Sequence, residues 1–170
     1  MKKLLLVLAF ISIISCNNSR KQPSNEQIET GHYFDSKHKA ELKERCLEYG
    51  NRSAFGDLVD YYNNTPSEYY ELLPIAIIMV DNWGCDNARV AIYFWFLEMQ
   101  KKGRDEKQFF ELDKSKQDFV LKYLIDGAKN KNPGCLGILH RLLESGLKME
   151  IEKEKEIEEL YKKTTANRSL

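Results

Sequence analysis

This sequence lacks an excess of charge of either sign, because its 170 residues contain 26 Lys and Arg against 26 Asp and Glu. A protein that binds nucleic acid through its phosphates needs a basic stripe, and no segment of this chain carries one. Nine glycines and four prolines are too few for a collagen-like or low-complexity chain. A hydrophobic fraction of 42% argues against global disorder, and the length suits one domain.

Sequence patterns that mark catalytic or metal-binding sites are also missing. The chain contains no glycine-rich phosphate loop, no Gly-x-Ser-x-Gly and no His-Glu-x-x-His. The three histidines, His32, His38 and His140, show no metal-ligand spacing with one another or with a cysteine, so we expect no zinc site. The sequence therefore predicts no catalytic residue, no metal and no cofactor.

The N-terminal segment, residues 1–15, has the pattern of an export signal. Lys2 and Lys3 precede an apolar run, 4–14, broken only by one serine. This run is too short to span about 30 Å of hydrocarbon as a helix, but it suits a signal peptide. Residues 13–16 read Ile-Ile-Ser-Cys, which resembles the lipobox of bacterial lipoproteins. The resemblance implies cleavage before Cys16 and a diacylglyceryl group on its thiol.

A lipid anchor determines where the mature protein is expected. Two or three acyl chains, at about 0.8 kcal/mol per buried CH₂, hold a protein on a membrane without a transmembrane helix. Lipoproteins retained in the inner membrane commonly have Asp after the cysteine, so Asn17 points by resemblance to the outer membrane, facing the periplasm. A secretory signal that only happens to contain a cysteine is the alternative interpretation.

The signal peptide, residues 1–15, is followed by a tether and then by a domain. Residues 16–31 contain Cys16 and a polar stretch in which Ile28 is the single aliphatic residue, which is typical of a flexible linker. Loss of the signal peptide removes two of the 26 basic residues and none of the 26 acidic ones, so the mature chain is slightly acidic. Residues 32–170 are the predicted domain.

Helix start and stop signals divide this domain. Residues 65–68, Thr-Pro-Ser-Glu, form a capping box with proline at the first helical position, and residues 132–133 pair Asn with Pro. The other start and stop residues are Asp35 and Gly50, Asp86 or Asn87 and Gly103, Asp113, and Gly146. We therefore predict an all-α domain of about six helices, either a helix-turn-helix array or a compact bundle.

Three helix-turn-helix junctions share a pattern. Each has a short Gly/Asn turn, then a small residue, then an apolar stripe, and the small residues are Ala54, Ala88 and Cys135. The spacing is irregular, because Ala88 lies closer in sequence to Ala54 than to Cys135. A small residue early in the second helix lets paired helices approach closely, as they do in helical-pair solenoids.

The third junction carries a family resemblance. Residues 123–146 read YLIDGAKNKNPGCLGILHRLLESG, and the positions that matter are Ala128, Cys135, Leu136, Gly137, Leu139 and Gly146. With these residues the stretch resembles one Sel-like repeat of the tetratricopeptide class, and the other junctions match it only loosely. The resemblance implies an α-solenoid or a compact helical array whose usual role is to bind a partner protein, and it implies no catalytic residue.

A β-hairpin is the alternative for one segment. Residues 72–80 and 89–97 are rich in β-branched and aromatic side chains, and apolar runs alone do not separate strand from helix. Pro74 would interrupt a central strand, and the capping box precedes the first run, so helices are favoured. Residues 91–97 are apolar all round, which predicts the buried centre of the domain.

Three cysteines besides Cys16 remain in the mature chain, an odd number for an oxidising compartment: Cys46, Cys85 and Cys135. Stacked junctions would bring Cys85 and Cys135 to one edge, so a disulfide between them is one alternative and isolated buried cysteines are the other. A catalytic thiol is not expected, because His140 follows Cys135 on the same helix at a spacing that points it elsewhere.

Two tyrosine pairs are the candidate binding residues. Tyr61-Tyr62 and Tyr69-Tyr70 flank the short turn 63–65, and neighbours on a helix diverge by about 100°, so some of these rings should be exposed. Exposed tyrosines are common anchors at protein interfaces. We predict that the four tyrosines form a protein-binding surface and that replacing Tyr62 or Tyr69 leaves the fold nearly unchanged. The alternative is that they line the core.

Together these features predict a lipid-anchored periplasmic protein that binds another protein. Two roles are compatible with this prediction: an envelope scaffold, or an immunity-type protein that neutralises a delivered toxin. An envelope enzyme with an unrecognised active site is the alternative.

We expect Cys16→Ala to abolish labelling of the protein by a fatty-acid analogue in bacterial cells, because the thiol is the acylated atom. The variant should also stay unprocessed, which a gel shows as a larger apparent mass. Ser19→Ala is the matched control beyond the lipobox and should be labelled like the wild type. Labelling that persists in Cys16→Ala contradicts the lipid anchor.

Overall fold

The computed structural model describes residues 36–100 and 105–166. These ranges contain eight α-helices, one 3₁₀ helix and no strand. In chain order they are α1 Ser36–Tyr49, α2 Arg52–Asn64, the 3₁₀ helix Pro66–Glu71, α3 Leu72–Asp81, α4 Asp86–Glu98, α5 Glu106–Glu111, α6 Lys114–Lys129, α7 Pro133–Glu144 and α8 Ile151–Ala166. The all-α class is confirmed, the β-hairpin alternative is wrong, and about six helices was too few. Cys16, the tether, His32, Asp35 and Gly103 lie outside the described residues.

Side-chain caps explain where several helices begin. Asn51 accepts a hydrogen bond from the Ala54 N–H, and Asn132 accepts one from the Cys135 N–H. Asp113 caps α6 in the same way, so two of the predicted start signals are confirmed. None of the helices in the described ranges is long and apolar enough to cross a bilayer.

The beginnings of two helices differ from those that the sequence predicted. Thr65 makes no side-chain capping bond, and the residues after it form a 3₁₀ helix, so that α3 begins at Leu72 with Pro74 in its first turn. Cys85, rather than Asp86 or Asn87, occupies the capping position of α4. The helix count from the sequence did not include the short helix α5, because so short a helix has little periodicity to detect.

The helices pack as three hairpins, α1–α2, α3–α4 and α6–α7, with α8 against α7. Successive hairpins meet because α1 packs on α3, α2 on α4, and α4 on both α6 and α7. Helix α4 joins the two hydrophobic clusters of the fold, since Ile92 belongs to the first and Tyr93 and Leu97 to the second. This central position agrees with the all-apolar pattern of residues 91–97.

The first two hairpin turns have the same backbone geometry. Gly50 and Gly84 adopt φ values of +60° and +57°, a region that glycine enters without strain. Each glycine N–H donates to the carbonyl four residues back, and the next N–H donates to the carbonyl six residues back. The third turn closes differently: Lys131 has φ +60°, and the bonds reach back three and five residues, as in a Schellman motif.

These two matching turns also touch. A Cβ placed on Gly50 would lie 2.4 Å from the Trp83 ring, and an Arg52 guanidinium nitrogen is 3.4 Å from the Gly84 carbonyl oxygen. The small residues that follow, Ala54 and Ala88, are fully buried. Both small residues therefore lie in the first hydrophobic cluster of the fold.

All three described cysteines are buried free thiols, so the disulfide between Cys85 and Cys135 is absent from the structure. The two thiols belong to different hydrophobic clusters, since Cys85 packs in the first and Cys135 in the second. Cys135 instead packs against Gly127 of α6, where a Cβ would lie 2.4 Å from its sulfur. The alternative of isolated buried cysteines describes these residues.

Gly127→Ala should lower the free energy of unfolding by about 1–3 kcal/mol, because the added methyl overlaps atoms that have little room to move. Its Cβ would meet the Cys135 sulfur at 2.4 Å and the Arg89 Cδ at 2.9 Å. Arg89 is itself held by Asp86 and Asp126. Urea denaturation measures the change.

The matched control is Gly137→Ala in the neighbouring helix α7. The nearest atom to its Cβ is an Arg141 nitrogen at 3.6 Å. This variant should gain about 0.5–1 kcal/mol from the higher helix propensity of alanine. If both substitutions change the free energy of unfolding equally, the close contact between α6 and α7 does not explain the glycine at position 127.

Candidate functional site

The four predicted anchor tyrosines do not share one environment. Tyr61, Tyr62 and Tyr69 are buried, with exposed fractions of 8%, 0% and 5%, whereas Tyr70 is 60% exposed. The prediction that these four tyrosines form one exposed surface is therefore wrong, because three of the four side chains are buried. Only Tyr70 presents enough surface to contact a partner.

Helix α2 buries two adjacent tyrosines because it is covered on two sides. The Tyr61 hydroxyl donates to Glu68 Oε2 at 2.9 Å, and the Tyr62 hydroxyl donates to Glu71 Oε2 at 2.9 Å. Both glutamates lie on the 3₁₀ helix, so the phenol groups of α2 bind this helix through its carboxylates. Tyr69 is also buried, and the Trp95 indole N–H of α4 donates to its backbone carbonyl at 2.9 Å.

Two lysines of α1 complete this network. Lys39 Nζ lies 2.6 Å from Glu68 Oε2 and 3.6 Å from Glu71 Oε1, and Lys43 also pairs with Glu71. Hydrogen bonds from Lys39 and Tyr61 hold the pKa of Glu68 below its usual value, and those from Lys43 and Tyr62 do so for Glu71. The hydrogen bond to Glu68 raises the pKa of Lys39. At neutral pH the network therefore keeps its charges, and it joins α1, α2 and the 3₁₀ helix.

Helix α3 leaves apolar side chains at the surface. Apart from Asp81, each of its residues is apolar, and only one side of the helix faces the core. Tyr70, Pro74 and Ile78 follow one another every four residues, with Pro74 exposed and Ile78 partly exposed. Four-residue spacing places the three side chains in one stripe along the 3₁₀ helix and α3.

One hollow lies along this stripe, and a second lies beside the last residues of α3. Between α1 and α3 the hollow has a volume of about 520 Å³ and is lined by Lys43, Leu47, Tyr70, Glu71, Pro74, Ile75 and Ile78. Between α3 and α6 it has a volume of about 310 Å³ and is lined by Val80, Asp81, Lys122, Tyr123, Ile125, Asp126 and Lys129. We call the stripe Tyr70–Pro74–Ile78 together with these two hollows the α3 surface.

Charged groups of both signs surround the α3 surface, and most of those with defined contacts are neutralised. Lys43 pairs with Glu71 beside the first hollow, and Asp126 lies 2.6 Å from an Arg89 nitrogen beside the second. Lys122 Nζ lies 5.4 Å from the Tyr123 ring centre. The surface therefore has an apolar centre and a rim without a dominant charge.

Arg89 is the structural ion behind the second hollow. It is 6% exposed, and its guanidinium donates to Asp86 Oδ1 at 2.7 Å and to Asp126 Oδ2 at 2.6 Å and 3.1 Å. These bonds connect the first turn of α4 with the last turns of α6. Arg89 therefore holds α6 against α4, next to the second hollow that Asp126 lines.

The remaining chemically active side chains are held in unreactive environments. Burial raises the pKa of the Cys46 and Cys135 thiols to about 12, so both are protonated at neutral pH. His140 stacks on Tyr161 with ring centres 4.1 Å apart, and its Nε2 is 3.5 Å from Glu144. Within the described ranges no three His, Cys, Asp or Glu residues are arranged to hold a metal ion.

Sequence reasoning missed the aliphatic part of this surface, chiefly Leu47, Pro74, Ile78 and Ile125. A usable signal was present in residues 72–80, an unbroken apolar run that is longer than one helix face can bury. That excess predicts an exposed apolar face unless a second layer covers the helix.

Comparisons with protein-family models, with curated proteins and with solved structures find no match to this chain. The resemblance of residues 123–146 to a Sel-like repeat, and that of residues 13–16 to a lipobox, therefore stay predictions. The observations that bear on function are the α3 surface and the network that holds it.

Tyr62→Ala should lower the free energy of unfolding by about 3–5 kcal/mol, the usual effect of truncating a buried aromatic side chain. It removes a fully buried ring and leaves Glu71 without its phenol donor. Tyr70→Ala is the matched control on an exposed ring and should change stability by no more than about 0.5 kcal/mol. Thermal and urea denaturation compare the two, and an unchanged melting temperature in Tyr62→Ala would contradict the burial of this side chain.

Proposed function

We propose that this protein is a lipid-anchored, periplasm-facing envelope protein that binds another protein through the α3 surface. The observation that carries the proposal is the apolar stripe Tyr70–Pro74–Ile78, which lines a surface hollow together with Leu47 and Ile75. Contiguous exposed apolar surface with a polar rim is characteristic of protein interaction sites. Tyr70, the most exposed aromatic ring of this surface, is of the residue type that commonly anchors such contacts.

The two terminal helices support binding at the side of the helical array rather than at its ends. The outward residues of α1 and α8 are mostly charged: Lys37, Glu41, Glu44 and Glu48 in α1, and Glu152, Lys153, Lys155, Glu156, Glu158 and Glu159 in α8. Terminal helices with polar outer faces are what end a stack of helical pairs. We therefore expect a partner to make its apolar contacts on the side of the stack, where α3 lies.

The hairpin geometry supports an array of the tetratricopeptide type. The turns at Gly50 and Gly84 share their hydrogen-bond pattern, and both precede a buried alanine. Their separation in sequence, about 34 residues, equals the period of tetratricopeptide repeats. In helical-pair arrays the first helices of successive pairs line one face, which is the usual binding face. Helices α1, α3 and α6 are the first helices of the three hairpins, and both hollows lie between them.

A binding role also fits the chemistry of the described residues better than an enzyme with an unrecognised active site. The Cys46 and Cys135 thiols are buried and protonated, and His140 is packed on Tyr161. The lipid anchor and the periplasmic location are carried by the sequence of residues 1–31. An envelope scaffold and an immunity-type protein both remain consistent with a surface that binds one partner.

The test is site-specific photo-crosslinking in cells. A benzophenone amino acid in place of Tyr70 should give a discrete crosslinked product of higher mass, because the side chain is on the proposed interface. The same amino acid in place of Lys155, an exposed residue on the charged face of α8, is the matched control and should give none. Mass spectrometry of the product identifies the bound protein.

Tyr70→Lys gives a second arm of the same test, with photo-crosslinking from position 78. The charge placed on the apolar stripe should reduce the product at least fivefold while the melting temperature stays within a few degrees of the wild type. Equal crosslinking from positions 70 and 155, or none from positions 70 and 78, contradicts the proposed function.

A further inference from the structure

We infer that the partner at the α3 surface is a second copy of this chain, so that two α3 surfaces pack against each other about a two-fold axis. This inference rests on the proposed function, because it names the occupant of the same surface. A two-fold contact uses the same patch on both copies, so the patch must be complementary to itself. The shape, the charge and the size of the α3 surface each bear on that requirement.

The shape of the α3 surface is that of a ridge beside a groove. The stripe Tyr70–Pro74–Ile78, with Tyr70 and Pro74 exposed, lines the hollow of about 520 Å³ from the α3 side, and Leu47 lines it from α1. Helices pack when the ridge of one enters the groove of another. A ridge and an adjacent groove on one face allow two copies to fill each other's groove at the same time.

The charges around the surface favour the same partner. Lys43 and Glu71 are a pair of opposite sign beside the first hollow. The second hollow is lined by two acidic residues, Asp81 and Asp126, and by two basic residues, Lys122 and Lys129. A strongly acidic or basic partner would find no complementary field on such a rim. A second copy of the chain presents the same apolar centre and the same mixture of charges, so the two surfaces are compatible in both respects.

The estimated area of the α3 surface explains why membrane anchoring is important for the association of two copies. Three neighbouring helices about 10 Å apart, along the roughly 15 Å length of a helix such as α3, present roughly 450 Å². Stable complexes bury about 800 Å² per partner, so two copies in dilute solution should associate weakly. Anchoring both copies in one leaflet raises their effective concentration. The chain from Cys16 to Ser36 reaches at most about 70 Å, which lets neighbouring anchored copies meet.

The experiment uses the mature lipidated protein in vesicles. Pro74→Cys places a thiol at the middle of the stripe, the position nearest the two-fold axis in either relative direction of the two α3 helices. The native thiols of Cys46, Cys85 and Cys135 are buried. A short bismaleimide should therefore crosslink the Pro74→Cys protein to a dimer. Lys155→Cys, at the same surface density, is the matched control and should give at least tenfold less dimer.

Two further measurements separate a specific dimer from collisions. The dimer yield from Pro74→Cys should persist on tenfold dilution with lipid, and adding either Tyr70→Lys or Ile78→Glu should remove most of it. The melting temperature of each variant is measured, and Tyr70→Lys carries the comparison if Ile78→Glu unfolds. Equal yields from Pro74→Cys and Lys155→Cys, or a yield that falls in proportion to dilution, overturn the inference. A crosslink from position 70 to a different protein also overturns it but leaves the proposed function standing.

Discussion

The contact on which the α3 surface depends is the network of Lys39, Lys43, Tyr61, Tyr62, Glu68 and Glu71. Tyr62 is fully buried, and a buried hydroxyl requires an acceptor, which Glu71 supplies. Glu71 is in turn neutralised by Lys43 of α1. Since the three helices meet through these groups, the network determines where the 3₁₀ helix lies and, through it, where α3 begins. A partly satisfied network would be worse than none, because half-buried charges would remain without partners.

The exposure of α3 follows from its composition together with its place in the stack. Helix α4 contacts α2, α3, α6 and α7, and its first turn carries polar side chains. Helix α3 contacts α1, α2, α4 and the 3₁₀ helix, yet Pro74 is exposed and Ile78 is partly exposed beside the first hollow. Apart from Asp81 every residue of α3 is apolar, so the sides of α3 that its neighbours leave open are apolar too.

Local signals predicted the fold class and several helix starts well, because capping is decided within a single helical turn. Asn132 and Asp113 cap α7 and α6 as expected, and glycine marks the first two turns. The capping box at residues 65–68 was misleading, since the acidic side chain that would complete it, Glu68, binds Lys39 and Tyr61. A tertiary contact there overrides the local preference, and a 3₁₀ helix precedes α3. A local sequence pattern cannot show that the Glu68 carboxylate binds Lys39, which lies two helices earlier in the chain.

The candidate site was harder to predict for a related reason. Helical spacing correctly requires that Tyr61 and Tyr62 point in directions about 100° apart, but it does not say that both directions are covered. In the structure Lys39 lies over the Tyr61 ring at 5.6 Å while the 3₁₀ helix receives both hydroxyls, so both residues are enclosed. Tyr70 stays exposed because its neighbour Tyr69 takes the inward direction against Trp95. Exposure is thus a property of how three elements pack, and the useful sequence signal was the excess of apolar residues in α3. A helix that carries more apolar side chains than its neighbours can cover must leave some of them for a partner or for water.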